Sequence, residues 1–171
     1  MPPRLRKLAL TLHVTCSVGL PGAIAAFLAL AVAGLVSNDV PTIRAAYPAM
    51  GLIAHFVVMP LAIASLLTGL VLSLGTPWGL FRHYWVLVKL LLTIFAAAVL
   101  LLKMALIDDA ARLATETALP YLILRAAGIQ LAAHAAGGLL VLMAPVALSM
   151  YKPPGTTLYG WRKQFEQRSL S

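Results

Sequence analysis

Charged residues are scarce in this chain: they make up 11% of its 171 residues, against 61% apolar residues, and the mean hydropathy is +0.93. Soluble domains have about 25% charged and about 45–50% apolar residues. A chain of this length could not bury such an apolar excess in water without exposing large adhesive patches, so an ordinary soluble fold is excluded. The apolar content also excludes intrinsic disorder. What remains is a helical protein that crosses a membrane several times.

Other scarcities restrict the chemistry. Cys16 is the only cysteine, which excludes an internal disulfide and a thiolate metal cluster. No carboxylate lies inside a long apolar run, which excludes paired-acid chemistry within the membrane. Ser17 follows His13 by four residues, but without a carboxylate to orient the imidazole this pair is a weak hydrolase signal. The sequence therefore leaves open whether the protein is an enzyme.

Four apolar runs are each long enough for a helix that crosses a hydrocarbon layer of about 30 Å, which takes about 20 residues. Because a backbone in lipid must satisfy its own hydrogen bonds, all four runs are predicted to be helices. Pro48 is expected to introduce the second run, and Asp108-Asp109 to end the third. The predicted spans are residues 8–36, 50–73, 85–107 and 121–150.

Short connections between the runs predict an all-α, integral membrane four-helix bundle in which the helices run up-down-up-down. This bundle occupies residues 1–151. Residues 152–171 mix basic and aromatic side chains, which suits the headgroup region of an anionic leaflet, and form a separate cytoplasmic tail in this interpretation.

The distribution of charge predicts the orientation. The start of the chain, the middle loop and the tail are basic, whereas acidic residues dominate the two remaining loops. The positive-inside rule then places both termini in the cytoplasm of a bacterium, with the chain in its plasma membrane. The first apolar run is too long for a signal peptide, so we expect it to be retained. The formal net charge of +8 is accordingly expected to interact with the lipid bilayer and not with nucleic acid.

The four histidines fall one per helix, and polar residues inside a membrane are costly and usually functional. Counting residues along the helices pairs His13 with His83 near the cytoplasmic side and His55 with His134 nearer the outer side. Imidazoles from facing helices are how a bundle core holds haem iron. The pattern therefore predicts binding of b-type haem and transmembrane electron transfer, with a redox partner.

Further residues complete this haem hypothesis. Gly137 and Gly138 lie three and four residues after His134 and would leave room for a flat macrocycle, while Arg82 and Lys89 are placed to neutralise its propionates. The depths of His55 and His134 differ by about 12 Å on a simple count, so their pairing requires a tilted or protruding fourth helix.

Alternatives stay open at this point. Membrane histidines often only bridge helices by hydrogen bonds, which predicts a non-enzymatic bundle that binds a partner or forms a homo-oligomer. A metal-ion or proton pathway is a third interpretation. His55 and Met59 are four residues apart and predict a copper site as the alternative to haem. Lys89 and Lys103, inside the third run, are expected to extend their ammonium groups towards its ends.

Three segments carry a family resemblance: Leu12-His13-Val14 followed by Gly19, residues 75–89, and His134-Ala-Ala-Gly-Gly138. Together they resemble four-span bacterial integral membrane families that carry no assigned activity. The alanine- and leucine-rich composition is similar to that of high-GC actinobacterial proteins. More distantly, one histidine per helix resembles small di-haem cytochrome b bundles and membrane proteins of the copper-resistance D type. That resemblance implies haem b or copper as the cofactor.

The predicted orientation has a direct test. A reporter fused after Ser171 is expected to be active in the cytoplasm, because the positive-inside rule retains the basic tail there. A reporter inserted near Asp109 is expected to be exposed outside. Fluorescence of a fluorescent protein fusion reports a cytoplasmic position, and activity of an alkaline phosphatase fusion reports an external one. A cytoplasmic Asp109 would contradict both the charge argument and the number of spans.

Overall fold

The computed structural model describes residues 2–75, 84–116, 118, 120–151 and 161. Throughout these residues the regular structure is helical. Helix α1 covers Pro3–Val36, α2 covers Val40–Ile53, a π-helical turn covers Ala54–Val58, α3 covers Met59–Gly75, α4 covers Tyr84–Leu113 and α5 covers Tyr121–Tyr151. Because α2, the π turn and α3 form one continuous rod, the described chain makes four long helices, as the sequence predicts.

The second rod begins ten residues earlier than predicted. Asp39 caps α2: its carboxylate oxygen Oδ2 accepts hydrogen bonds from the backbone N–H of Thr42 at 3.0 Å and from its hydroxyl at 2.6 Å. Pro41 occupies the first turn, where a missing N–H costs nothing. The prediction that Pro48 introduces this helix is therefore wrong, since Pro48 lies inside α2.

A π turn interrupts the second rod immediately before Pro60. The backbone N–H of Met59 bonds to the carbonyl of Ala54, five residues back, in place of the usual four. Pro60 has no N–H and cannot bond to the carbonyl of Phe56, so the regular ladder must break near this point. The wider turn absorbs that break without ending the rod, and it contains His55.

The third rod runs six residues past its predicted end. Asp108 and Asp109 lie within α4, and the carboxylate of Asp109 is 3.6 Å from the guanidinium of Arg112, three residues on. The aspartates end the apolar segment but leave the helical hydrogen bonds intact. The end of α1 at Val36 and the start of α5 at Tyr121 are as predicted. Apart from Trp161, the tail lies outside the described residues.

The four rods pack in a ring. Helix α1 contacts α5 and the α2–α3 rod, and α4 contacts the same two neighbours. Helix α1 and α4 therefore occupy opposite corners, as do the α2–α3 rod and α5. Contacts between α1 and the second rod run in reverse order along the chain, with Gly34 next to Tyr47, Gly19 next to Leu61 and His13 next to Gly69.

Tyr47 is the largest fully buried side chain and holds three rods together. Its hydroxyl donates a hydrogen bond to the carbonyl of Leu124 on α5 at 2.9 Å. A Cβ at Gly34 of α1 would stand 3.1 Å from its ring, and a Cβ at Gly128 of α5 would stand 2.5 Å from its hydroxyl oxygen. Glycine is thus required at position 128 because the Tyr47 hydroxyl approaches the α5 backbone closely, not because the backbone has an unusual conformation there.

Large apolar side chains cover the outside of the bundle. Leu102 of α4 is 79% exposed, Leu140 of α5 is 74% exposed and Phe56 of the π turn is 75% exposed. By length and hydropathy all four rods can cross a membrane. Many of the buried residues are alanines, such as Ala31, Ala54 and Ala110, which lets the backbones approach closely.

The packing around Tyr47 generates a stability prediction. Gly128→Ala is expected to lower the free energy of unfolding by about 1–3 kcal/mol, because the new methyl group overlaps a buried hydroxyl that cannot move aside. Adding Tyr47→Phe is expected to restore most of the loss, since the nearest remaining ring atom is 3.6 Å away. Unfolding in mixed detergent micelles measures both variants.

Gly22→Ala is the matched control. Nothing lies within 4 Å of the Cβ position at Gly22, so alanine there is expected to be neutral or stabilising. Equal losses for Gly22→Ala and Gly128→Ala, or no recovery with Tyr47→Phe, would contradict the role given to Tyr47.

Candidate functional site

A cavity of about 690 Å³ lies between α4 and α5. Its inner wall comes from α1 and the second rod, with Leu20, Ile24 and Val58 among the contributors. Phe95 and Leu102 stand at its rim and are 59% and 79% exposed, so the cavity opens at the side of the bundle. We call it the lateral groove. Its volume is within the range of about 300–1,000 Å³ that is usual for small-molecule sites.

The lateral groove is apolar apart from three side chains: Thr93 and Lys103 from α4 and His134 from α5. The Thr93 hydroxyl donates to the carbonyl of Lys89 in its own helix at 2.8 Å. His134 and Lys103 are consequently the two groups that can recognise a ligand chemically. Sequence reasoning identified His134 but treated Lys103 only as a snorkelling residue, although an ionisable group within a span is itself a functional signal.

His134 has one ring nitrogen engaged and one available. Its Nδ1 lies 2.6 Å from the carbonyl of Gln130, and because a carbonyl only accepts, Nδ1 carries the hydrogen. The lone pair therefore resides on Nε2, which is the arrangement of a histidine that binds a metal. A Cβ at Gly137 or Gly138 would have no neighbour within 4 Å, so open space borders the groove next to this imidazole.

His13 lies in a different place, between α1 and α3. Its Nδ1 is 3.1 Å from both the carbonyl of Ser65 and the hydroxyl of Thr68. The ring rests on Gly69, where a Cβ would be 3.0 Å from Cε1. The hydroxyls of Ser17 and Ser65 add a 2.8 Å hydrogen bond beside it. His13 thus bridges two adjacent rods by hydrogen bonds.

The residues expected to accompany His13 are only partly described. His83 and Arg82 lie outside the described residues. The Nζ of Lys89 lies 5.2 Å from the centre of the Trp85 ring. Lys89 is not among the residues that line the lateral groove.

His55 sits at the π turn and faces α4. Its Nδ1 is 3.1 Å from the carbonyl of Gly51 and 3.7 Å from a carboxylate oxygen of Asp108. The two side chains are 43% and 55% exposed, so their electrostatic attraction contributes little to stability. Met59, the second residue of the copper hypothesis, begins α3 four residues later.

The structure reduces the difference in depth between His55 and His134 that the sequence predicts. Tyr47 and Gly128 touch and so mark a common level. His55 lies eight residues beyond Tyr47 and His134 six beyond Gly128, which puts the two histidines within about 3 Å of each other in depth at 1.5 Å per residue. Both imidazoles are nevertheless exposed.

Apolar packing fills the space between these two corners of the ring. The sequence neighbours of the histidines, Ala54 in the second rod and Ala135 in α5, are buried in the same apolar core cluster. His55 is not among the residues that line the lateral groove with His134. The structure therefore does not bring the two imidazoles together.

In residues 2–75, 84–116, 120–151 and the few others described, no group of three or more His, Cys, Asp or Glu side chains is placed to hold a metal ion. No family model, curated protein or solved structure matches this chain. Its function has to be inferred from the lateral groove and the histidines themselves.

The two kinds of histidine environment predict different mutational costs. His13→Ala is expected to lower the free energy of unfolding by about 1–3 kcal/mol, because it removes hydrogen bonds between rods and leaves a gap beside Gly69. His134→Ala is expected to change it by less than about 0.5 kcal/mol, since its imidazole is exposed and bonds only within α5. Unfolding in mixed micelles measures both. Equal losses would show that the bridge from His13 does not stabilise the bundle.

Proposed function

We propose that the protein is an integral protein of the bacterial plasma membrane that binds b-type haem in the lateral groove, with His134 as the iron ligand. In this proposal the four rods cross the membrane up-down-up-down and both termini are cytoplasmic. The haem serves electron transfer with a redox partner.

The distribution of charge supports the membrane part of the proposal. Charged side chains cluster near the two ends of the described rods, while the surfaces between them are apolar. One end carries Arg4, Arg6, Lys7 and Lys89; the other carries Asp39, Arg44, Asp108, Asp109, Arg112, Glu116 and Arg125. A rod of 30 residues is about 45 Å long, so it can cross a layer of about 30 Å and still carry its charged ends outside. Lys103 is the exception, and it lines the lateral groove.

One observation carries the haem part: an imidazole with an available Nε2 stands in an apolar groove of suitable volume, next to two glycines that leave space. These residues fit haem, because a flat apolar macrocycle needs apolar walls and its iron needs a neutral nitrogen ligand. When bound, haem supplies a single-electron ferric–ferrous couple. The chain's own part is to hold the iron through His134, to orient its ring through Gln130 and to exclude water with apolar walls.

This proposal differs from the paired histidines expected from the sequence. Among the described residues, the lateral groove contains one histidine, so haem bound there would be held through His134 alone. His13 is engaged with Ser65 and Thr68, and His55 faces Asp108. Haem held by one histidine would still be able to bind a small ligand such as carbon monoxide.

A second candidate function uses the same groove without a cofactor. Because the lateral groove is apolar and opens at the side of the bundle, it could take an apolar helix of a membrane partner or of another copy. A bundle of this kind would be non-enzymatic. Its purified form would be colourless.

The visible spectrum of the detergent-purified protein distinguishes these functions. From haem-replete cells, the wild type is expected to show a Soret band that shifts when carbon monoxide is added to the dithionite-reduced protein. His134→Ala is expected to lose most of the bound haem, because the iron loses its protein ligand. Gly138→Phe is expected to lose it as well by filling the groove, without unfolding, since nothing lies within 4 Å of that Cβ position.

His55→Ala is the matched control and is expected to retain the haem, because His55 does not line the groove. A colourless wild type would end the haem proposal and favour the partner-binding bundle. A low-spin spectrum that His13→Ala abolishes and His134→Ala leaves intact would instead place the haem between His13 and His83.

A further inference from the structure

Lys103 is the charged side chain that lines the lateral groove. It lies ten residues before the end of α4 at Leu113, is half-buried and shares the groove with His134. None of the residues lining the groove is acidic. An ammonium group in such a position is costly unless an anion accompanies it.

Its own helix offers no carboxylate at the spacing that would pair with it. The positions three and four residues away on α4 are Val99, Leu100, Leu106 and Ile107, all apolar. Within the part of the chain that the structure describes, no hydrogen bond or ion pair to Lys103 is formed. The charge of Lys103 is therefore available to something that enters the groove.

The nearest acidic residues on α4 have partners elsewhere. Asp108 is 3.7 Å from His55, and Asp109 is 3.6 Å from Arg112. Asp108 is five residues from Lys103, which is not a spacing that places two side chains on one face of a helix. Both carboxylates therefore have a partner other than Lys103.

We infer that the ligand of the lateral groove is an apolar molecule that carries a carboxylate, which pairs with the ammonium group of Lys103. The apolar walls bind the body of the ligand, and the cation selects its acidic end. This inference rests on the proposed function in taking the lateral groove as the ligand site, but it holds for any carboxylate-bearing ligand. Haem b meets the requirement through its propionates.

Lys103, and not a residue expected from the sequence, pairs with a propionate in this proposal. The sequence pointed to Lys89 and Arg82, but Lys89 lies over Trp85 and does not line the groove, and Arg82 lies outside the described residues. Lys103 shares the groove with His134, so the ligand for iron and the partner of the acid belong to one site.

The pairing of Lys103 with a carboxylate is tested by pairs of probes that differ only in whether the carboxylate is free or esterified. Soret titrations of the haem-free protein in detergent compare haem b with its dimethyl ester, in which both propionates are blocked. The wild type is expected to bind haem b at least about tenfold more tightly than the ester, the range for a hydrogen bond to a charged group. Lys103→Met is expected to bring the ratio close to one, and Lys103→Arg to keep it.

Lys7→Met is the matched control, since Lys7 is exposed at the start of α1, and it is expected to keep the wild-type ratio. Lys89→Met tests the competing assignment. If Lys89→Met abolishes the discrimination while Lys103→Met retains it, Lys103 is not the partner of the acid and the inference is wrong.

A second pair of probes separates this inference from the haem proposal. Spin-labelled stearic acid and its methyl ester, in phosphatidylcholine nanodiscs, report bound probe as the motionally restricted fraction of the spectrum. If haem does not bind but the acid is restricted more than the ester, and Lys103→Met removes that difference, the haem function fails and the inference stands. If the wild type discriminates neither haem b from its ester nor stearic acid from its ester, the inference is overturned.

Discussion

The insertion of Tyr47 between two glycines is the contact on which the bundle depends. Its ring lies against Gly34 of α1, and its hydroxyl meets Gly128 and the carbonyl of Leu124 on α5. A buried phenol needs a hydrogen-bond acceptor, and this one obtains it from a neighbouring rod. Three rods are thereby brought to a common level, which sets the relative depth of side chains on α1, the second rod and α5.

That packing leaves the lateral groove as the candidate place for a ligand. Buried residues such as Ala31, Ala54 and Ala135 fill the interior beyond Tyr47, so His55 and His134 cannot share a macrocycle there without displacing the core. The groove between α4 and α5 lies on the outer surface of the same core, since Phe27, Ile107 and Leu131 belong to both. Cofactor binding at this position is compatible with a closed and stable interior.

The three described histidines each place Nδ1 near a backbone carbonyl, and they differ in which element supplies that carbonyl. The carbonyl is that of Ser65 for His13, Gly51 for His55 and Gln130 for His134. For His13 the carbonyl belongs to another rod, so the bond joins two rods. For His134 it belongs to the same helix, so the bond orients the ring and leaves Nε2 without that carbonyl, beside the lateral groove. Lys103 adds a cation to the groove, and this cation is the basis of the proposed selectivity for an acid.

The sequence alone determined the all-α class, the four long apolar helices, the end of α1 at Val36 and the start of α5 at Tyr121, because all of these depend on local interactions. Hydropathy and backbone hydrogen bonding act within a few turns, so a continuous apolar run with breakers at its ends is sufficient evidence. The bounds of the second and third rods were misjudged because Asp39 caps a helix ahead of the apolar run and α4 continues through Asp108, so helix and apolar run do not coincide. Only the tertiary structure decided which way the histidines face and that Lys103 shares a groove with His134. Those features depend on the rotation and relative height of whole rods, which are set by contacts between residues far apart in the chain, such as Tyr47 with Gly128 and His13 with Ser65.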